Sequence, residues 1–227
     1  MGSGDIQHID GPEGFAKAFK VSRETLGKLV TYADLLKRWQ KTINLVAPGS
    51  LGDVWHRHFA DSAQLLAHAP ADTRTWLDLG SGAGFPGLVL AIMNSENSQA
   101  RHTLIESDSR KAAFLREVAR TTATPVDILC MRIESGETHA KVNSAQCVTA
   151  RALAPMLRLA GLVAPYFAPG SLGLFLKGRE VAVELEEAAR AWDLSYELRR
   201  SVTDADGRVV LLTALQSRGA LKSRNEG

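Results

Sequence analysis

The chain has 227 residues, 45% of them hydrophobic and 23% charged, with a formal net charge of +2. This is the make-up of an ordinary soluble globular protein, long enough for one sizeable α/β domain plus an appendage and a poor fit for two full domains. So small a net charge does not establish a nucleic-acid partner; the clustering of basic residues matters more. Two cysteines, Cys130 and Cys147, suggest no disulfide framework, which fits a reducing cytoplasm. The opening "MGSGDIQHIDGPEG" lacks the basic start and apolar core of a secretory signal. The greasiest long stretch, 157–176, carries Arg158 and is broken by Pro165, Pro169 and Gly170, so a continuous membrane helix is not expected there.

Residues 1–21 resemble no known element and are expected to be a flexible N-terminal segment. From Ser22 to Leu45, Leu26, Leu29, Val30, Ala33, Leu36, Trp39 and Ile43 recur at spacings of mostly three and four, which predicts a helix with one apolar face. Ser22 fits the N-cap, Glu24 the first turn, and Pro48 and Gly49 stop it. A second helix is predicted over Val54 to His68, with Pro70 marking the boundary. Residues 22–70 thus read as a helical subdomain packed on a core spanning 71–215. In that core, short apolar runs alternate with helical patterns: "TWLDLG", "GLVLAIMN"; "HTLIES", "RKAAFLREVART"; "PVDILCM"; "CVTARAL", "PMLRLAGLVAPYF"; "SLGLFLKG", "EVAVELEEAARAW". Such alternation signals βαβ units and a parallel sheet. At the end, "YELRRSV" and "RVVLLTAL" flank "TDADG", a hairpin signal. The fold class is therefore α/β, mostly parallel, closed by an antiparallel hairpin. The basic tail 216–227 is expected to fray.

The stretch with most chemistry is "LDLGSGAGFPG", Leu77 to Gly87. Glycines there permit positive φ and let the main chain approach a ligand. Two patterns overlap. Gly82, Gly84 and Gly87 spell the dinucleotide fingerprint GxGxxG. Gly80, Gly82 and Gly84 spell GxGxG directly after Asp78. A carboxylate at that place would repel a pyrophosphate and suit a ligand bearing an ammonium and a sulfonium, as S-adenosylmethionine (AdoMet) does. Glu106, ending the next strand, suits ribose hydroxyls under either pattern. In "MRIESGE", Glu134 is a candidate for an adenine amino group and Ile133 for its ring, although the segment alone reads as loop. "TARAL" puts Arg151 at the carboxyl end of the fourth strand, where open α/β sheets bind ligands.

Other chemistries find little support. His56 and His58 are two apart and face different ways on a helix, and no cysteine or carboxylate cluster completes a metal site. His58 and Asp61, three apart, could pair on one helical face. Cys130 and Cys147 lie in apolar strands and read as buried packing residues. A nicotinamide-dependent oxidoreductase would need a proton donor at a strand end, and none stands out. A non-catalytic RNA-binding module remains a further alternative.

The pieces "LLKRWQKTINL", "RHFADS", "LDLGSGAGFPG", "LIESDSRKAAFLREV", "RIE", "TARAL" and "LKGR" together resemble the RsmG family (glucose-inhibited division protein B) of 16S ribosomal RNA guanine-N7 methyltransferases. The resemblance runs from Leu29 to Leu215. It departs from the family at Val46, where Thr often follows "NL". It implies a Rossmann-like class I AdoMet-dependent methyltransferase fold with the N-terminal helices laid against it, and AdoMet contacts at Gly80, Phe85, Ile133, Glu134 and Arg151, with Glu106 at the family's acidic position. The cofactor set is thus Gly80, Ser81, Gly82, Gly84, Phe85, Glu106, Ile133, Glu134 and Arg151. No catalytic base is assigned, and Arg151 is the one catalytic candidate. The resemblance places Arg57, His58, Asp61 and Ser62 near the active-site mouth. The implied partner is 16S rRNA in the small ribosomal subunit or an assembly intermediate, met by a cytoplasmic monomer needing neither metal nor membrane. Arg57, His58, Lys177 and Arg179 are the leading RNA contacts, with Lys37, Arg38, Lys41, Arg110 and Lys111 behind them.

Overall fold

The computed structural model describes residues 8–219. Its first helix, α1 (Pro12–Phe19), begins on a proline, whose fixed φ suits a first helical position. This corrects the expectation of a flexible start for the described part of 1–21. Phe15 is fully buried against Phe19, Trp55 and Phe59, and the Ile9 amide donates to His56 Nδ1 at 3.3 Å. One aromatic anchor and one buried hydrogen bond are enough to order a segment too short to show a helical period.

Helix α2 (Arg23–Trp39) starts where Ser22 Oγ accepts the Thr25 amide at 3.0 Å. It buries Leu29, Tyr32, Ala33, Leu35 and Leu36. It stops at Trp39, six residues short of the predicted end at Leu45. Gln40 explains the difference: its Oε1 accepts the amides of Leu45 and Val46, both at 3.0 Å, and its Nε2 donates to the Val46 carbonyl at 2.8 Å. These bonds replace the next helical turn with a loop. The predicted helix at 54–68 is present but is wound in three ways. A π-helical turn covers Trp55–Ala60, a turn of α-helix, α3, covers Asp61–Ala63, and a 3-10 turn covers Gln64–His68.

Seven strands form one sheet: β1 (Thr75–Leu79), β2 (Arg101–Ile105), β3 (Asp127–Leu129), β4 (Cys147–Arg151), β5 (Leu172–Lys177), β6 (Trp192–Arg200) and β7 (Arg208–Ser217), in the order β3-β2-β1-β4-β5-β7-β6. The first five are parallel, β7 is antiparallel to β5, and β6 pairs with β7. The expected hairpin is present. Strand β7 runs past Leu215, where fraying was expected, because Leu215 lies opposite Leu194 and Ser217 opposite Trp192. Residues 220–227 of that tail lie outside the described residues.

Helices α4 (Gly87–Met93) and α5 (Ser109–Thr121) cover one face of the sheet, and α7 (Met156–Val163) and α8 (Val181–Ala188) cover the other. The short α6 (Gly136–Lys141) follows β3. Phe15, Leu29, Tyr32, Leu36 and Phe59 share one apolar cluster with Leu88, Val89, Phe114 and Leu115. The N-terminal helices are therefore a layer of the core itself. Cys147 is buried as expected, but Cys130 lies just beyond β3 and is exposed, which corrects its reading as a packing residue. Among the described residues no helix is long and apolar enough to cross a membrane.

Candidate active site

Between β1 and β4 the strand order reverses, which opens a crevice at the carboxyl ends of the strands. The glycine loop enters it. Gly80, Gly82 and Gly84 have φ of 68°, 57° and 96°, values only glycine adopts without strain. A Cβ on Gly80 would lie 2.6 Å from Leu153 Cδ1. Four of the loop amides are engaged within the protein. Ser81 donates to the Ile105 carbonyl at 3.0 Å, Gly82 to Glu106 Oε2 at 2.7 Å, and Gly84 and Phe85 to the Ser81 carbonyl at 2.7 and 3.3 Å.

A cavity of about 410 Å³ lies over this loop. All of the predicted cofactor set line it except Gly84. Glu106 is buried, with Oε1 accepting the Asp108 amide at 2.7 Å and Oε2 the Gly82 amide. Each carboxylate oxygen keeps a second lone pair. Ile133 is held from behind by Tyr166, whose hydroxyl donates to the Ile133 carbonyl at 2.6 Å. Glu134 is exposed and faces Arg132 at 3.8 Å. Lys111, read from sequence as an RNA contact, lines this cavity, as do Leu45 and Arg158.

Gly84 does not line the cavity. A Cβ there would collide with the Tyr32 hydroxyl and come within 2.9 Å of Leu88 Cβ. Tyr32, fully buried on α2, donates that hydroxyl to the Ala83 carbonyl and stacks on Phe85 with ring centroids 5.4 Å apart. Burial holds its phenol well above the ordinary value, so it is a permanent donor. The helical layer thus grips the back of the loop.

Asp78 also lies outside the cavity, which corrects its role as a charge facing the ligand. Leu77 and Leu79 point to the α7–α8 side, so alternation along β1 sends Asp78 to the other. There its Oδ1 accepts the Thr149 hydroxyl at 2.6 Å. Its Oδ2 faces Gly87 without a hydrogen bond of good geometry, and a Cβ on Gly87 would lie 2.5 Å from Asp78 Cβ. Burial raises this carboxyl to about 6, with Ser81, Thr149, the Gly87 amide and Arg151 offsetting it only in part. Gly87 is the packing glycine that lets α4 start against it.

Arg151 closes the cavity on the β4 side. Its Cζ is 4.9 Å from the Phe85 ring centroid, within cation–π range. Its Nη1 donates to the Arg57 carbonyl at 3.1 Å and faces Asp61 Oδ2 at 3.5 Å. Arg151, Ala152 and Leu153 also wall a second cavity, of about 550 Å³, together with Asp61, Lys177 and Asp204.

The leading RNA candidates separate clearly. Arg57 and Arg179 are exposed, the latter 3.7 Å from Asp206. His58 is not available to RNA: it is buried, stacks on Phe85 at 4.9 Å and bonds Ser50 Oγ through Nε2 at 2.8 Å, not Asp61. Burial, then Arg151 and Arg57, lower it to about 3, so its ring is neutral. Lys177 is committed too, with Nζ 2.5 Å from Glu184 and donating to the Ala154 carbonyl at 2.9 Å. Among the described residues no three His, Cys, Asp or Glu side chains are placed to hold a metal. Tyr32 was missed from sequence, although it sits at helical spacing from Leu29 and Leu36; a hydroxyl on an apolar stripe was the signal.

Solved structures share this fold. A TehB-like SAM-dependent methyltransferase from Corynebacterium glutamicum superposes with a TM-score of 0.54 at 12% identity, covering 82% of this chain and 98% of that one. Fibrillarin in its complex with Nop5p superposes with a TM-score of 0.51 at 10% identity, covering 66% and 78%. The architecture is that of the Rossmann-like methyltransferases. The family model for rRNA small subunit methyltransferase G matches residues 25–210, and the chain belongs to that family. Ribosomal RNA small subunit methyltransferase G of Parvibaculum lavamentivorans is 46% identical, covering 94% of this chain and 93% of its own length. The protein of that name from Rhodospirillum centenum is 50% identical, covering 90% and 91%.

Proposed function

We propose that this protein transfers a methyl group from AdoMet to N7 of a guanine in 16S rRNA. The observation that carries the cofactor choice is the engagement of the Ser81, Gly82, Gly84 and Phe85 amides. A pyrophosphate bound as in dinucleotide folds needs free amides at the helix start. Here Gly82 gives its amide to Glu106, and Ser81, Gly84 and Phe85 are likewise engaged. What the loop presents instead is a close glycine backbone bordered by Glu106, with Ile133 beyond it. That surface suits a nucleoside with hydroxyls for Glu106 and a flat ring for Ile133.

AdoMet supplies an electrophilic methyl group. Guanine N7 offers a lone pair and no proton, so the protein has to align and desolvate rather than remove a proton. The site fits that demand. His58, the histidine nearest Arg151 and Phe85, is neutral and held between Phe85 and Ser50. Arg151 and Phe85 form a rigid wall at the mouth.

Tritiated AdoMet incubated with small ribosomal subunits should label one guanine, and strand scission specific to N7-methylguanine should map it. Label on any other atom or base overturns the N7 assignment. Binding of NAD in place of AdoMet in a calorimetric titration overturns the cofactor.

A further inference from the structure

The turn joining β6 to β7, residues 201–207, lies far along the chain from the helical segment that carries Asp61, yet the two are bonded together. Gln64 makes the junction. Its Oε1 accepts the Val202 amide at 3.0 Å, and its Nε2 donates to Ser201 Oγ at 3.1 Å and to Asp61 Oδ1 at 2.8 Å. Thr203 donates its hydroxyl to the same Asp61 oxygen at 2.9 Å. The Thr203 carbonyl accepts from His56 Nε2 at 2.9 Å, while His56 Nδ1 accepts from Ile9, so both ring nitrogens are used and the tautomer is fixed.

Asp61 therefore has one oxygen held by two donors and the other turned toward Arg151. A carboxylate tied in this way cannot rotate without breaking both bonds. The guanidinium it faces is also fixed by the Arg57 carbonyl and the Phe85 ring. Arg151 is the one charged side chain that lines both cavities, beside Ala152 and Leu153, whereas Gln64 and Thr203 line neither.

We propose that Gln64 and Thr203 are positioning residues for methyl transfer: they fix the Asp61 carboxylate and, through it, the Arg151 guanidinium where the two cavities meet. This rests on the methyl-transfer reading of the site. A small displacement of a group that aligns reactants is costly to turnover even when binding survives.

Thr203→Val removes the hydroxyl and keeps the shape, and Thr203→Ser keeps the hydroxyl. On small ribosomal subunits with tritiated AdoMet, Thr203→Val should lower kcat about tenfold while KM for the particle moves less than about threefold. Thr203→Ser should restore most of the turnover. In an Arg151→Ala background, adding Thr203→Val should change the residual rate less than about twofold, because the group it positions is gone. Gln64→Ala should behave as Thr203→Val does, with thermal unfolding confirming a folded chain.

Full turnover in Thr203→Val, equal slowing in Thr203→Ser, or the same loss with and without Arg151 would each overturn the positioning role. Those outcomes leave the wild-type activity in place. A wild-type protein that labels no RNA overturns the activity itself, and the positioning role with it.

Discussion

The two cavities that share Arg151 are built in opposite ways. The first is made mainly of short stretches that follow β1, β2, β3 and β4, with the glycine loop among them. Its shape is set by side chains standing behind it: Tyr32 under Ala83, Tyr166 under Ile133, and Asp78 under the start of α4. The second draws on Asp61, the 152–155 stretch, Lys177, Glu184 and the distant 201–208 turn, and two ion pairs, Arg151 with Asp61 and Lys177 with Glu184, stand in its wall. A backbone cradle is sensitive to an added Cβ. A wall of paired charges is sensitive to the loss of one partner, which strands the other.

Arg151 tests both at once. Arg151→Ala should slow methyl transfer on the order of a hundredfold to a thousandfold, comparable to losing a preorganised electrostatic group elsewhere. Circular dichroism should show the fold intact. Arg151→Lys should recover little, because lysine keeps the charge but not the planar face against Phe85. Full activity in Arg151→Ala would make the arginine purely structural.

The cradle alone is probed by Gly87→Ala, whose Cβ would meet Asp78. It should cost about 3 kcal/mol in urea unfolding. Gly178→Ala, at the edge of the second cavity and with open space around its Cβ, should stay within about 0.5 kcal/mol. Equal costs would erase the contrast.

The buried carboxyl beneath the cradle gives a pH signature. Asp78 lies at 3.8 when unconstrained and is raised to about 6 in the folded protein, so the folded state binds its proton more tightly. The stability this gives is full below about pH 4 and is lost as pH rises through 6. The unfolding free energy of Asp78→Asn minus wild type should therefore grow by about 3 kcal/mol between pH 4 and pH 7. A flat difference would mean that the carboxyl is not raised.

Tyr32→Phe removes one hydrogen bond behind the loop and should cost about 1 kcal/mol. KM for AdoMet should rise severalfold with kcat nearly constant; a fall in kcat alone would place Tyr32 in the chemistry. The smallest effect belongs to the rim. Arg179→Ala should weaken RNA binding about twofold to threefold and reduce the salt slope by about one unit in a titration. An unchanged slope would remove Arg179 from the RNA path.

What could be read from the sequence follows the same division. The strands, the glycine spacing and Glu106 were legible because their causes are local: apolar runs, positive φ, an acid at a strand end. Asp78 was misread although its parity was available, since the flanking Leu77 and Leu79 both point the other way. Lys177 and His58 were misread because tertiary packing, not a helical or strand period, brings their partners in: Glu184 and Ala154 for the lysine, Ser50 and Phe85 for the histidine. Gln64 and Thr203 carry no local signal at all. The early end of α2 belongs with them, since a glutamine folding back on its own backbone has no periodicity to detect.

The Gln64 and His56 bonds to the C-terminal turn have a consequence for how the chain is made. Both residues are synthesised more than a hundred positions before the partners that satisfy them. Until the hairpin leaves the ribosome, their polar atoms must stay hydrated, and the helical segment cannot bury them without penalty. The last strands thus complete the first helices. A nascent chain halted before Val202 lacks the Thr203 bond to Asp61, so the clamp at the active-site mouth closes only after the turn has been synthesised.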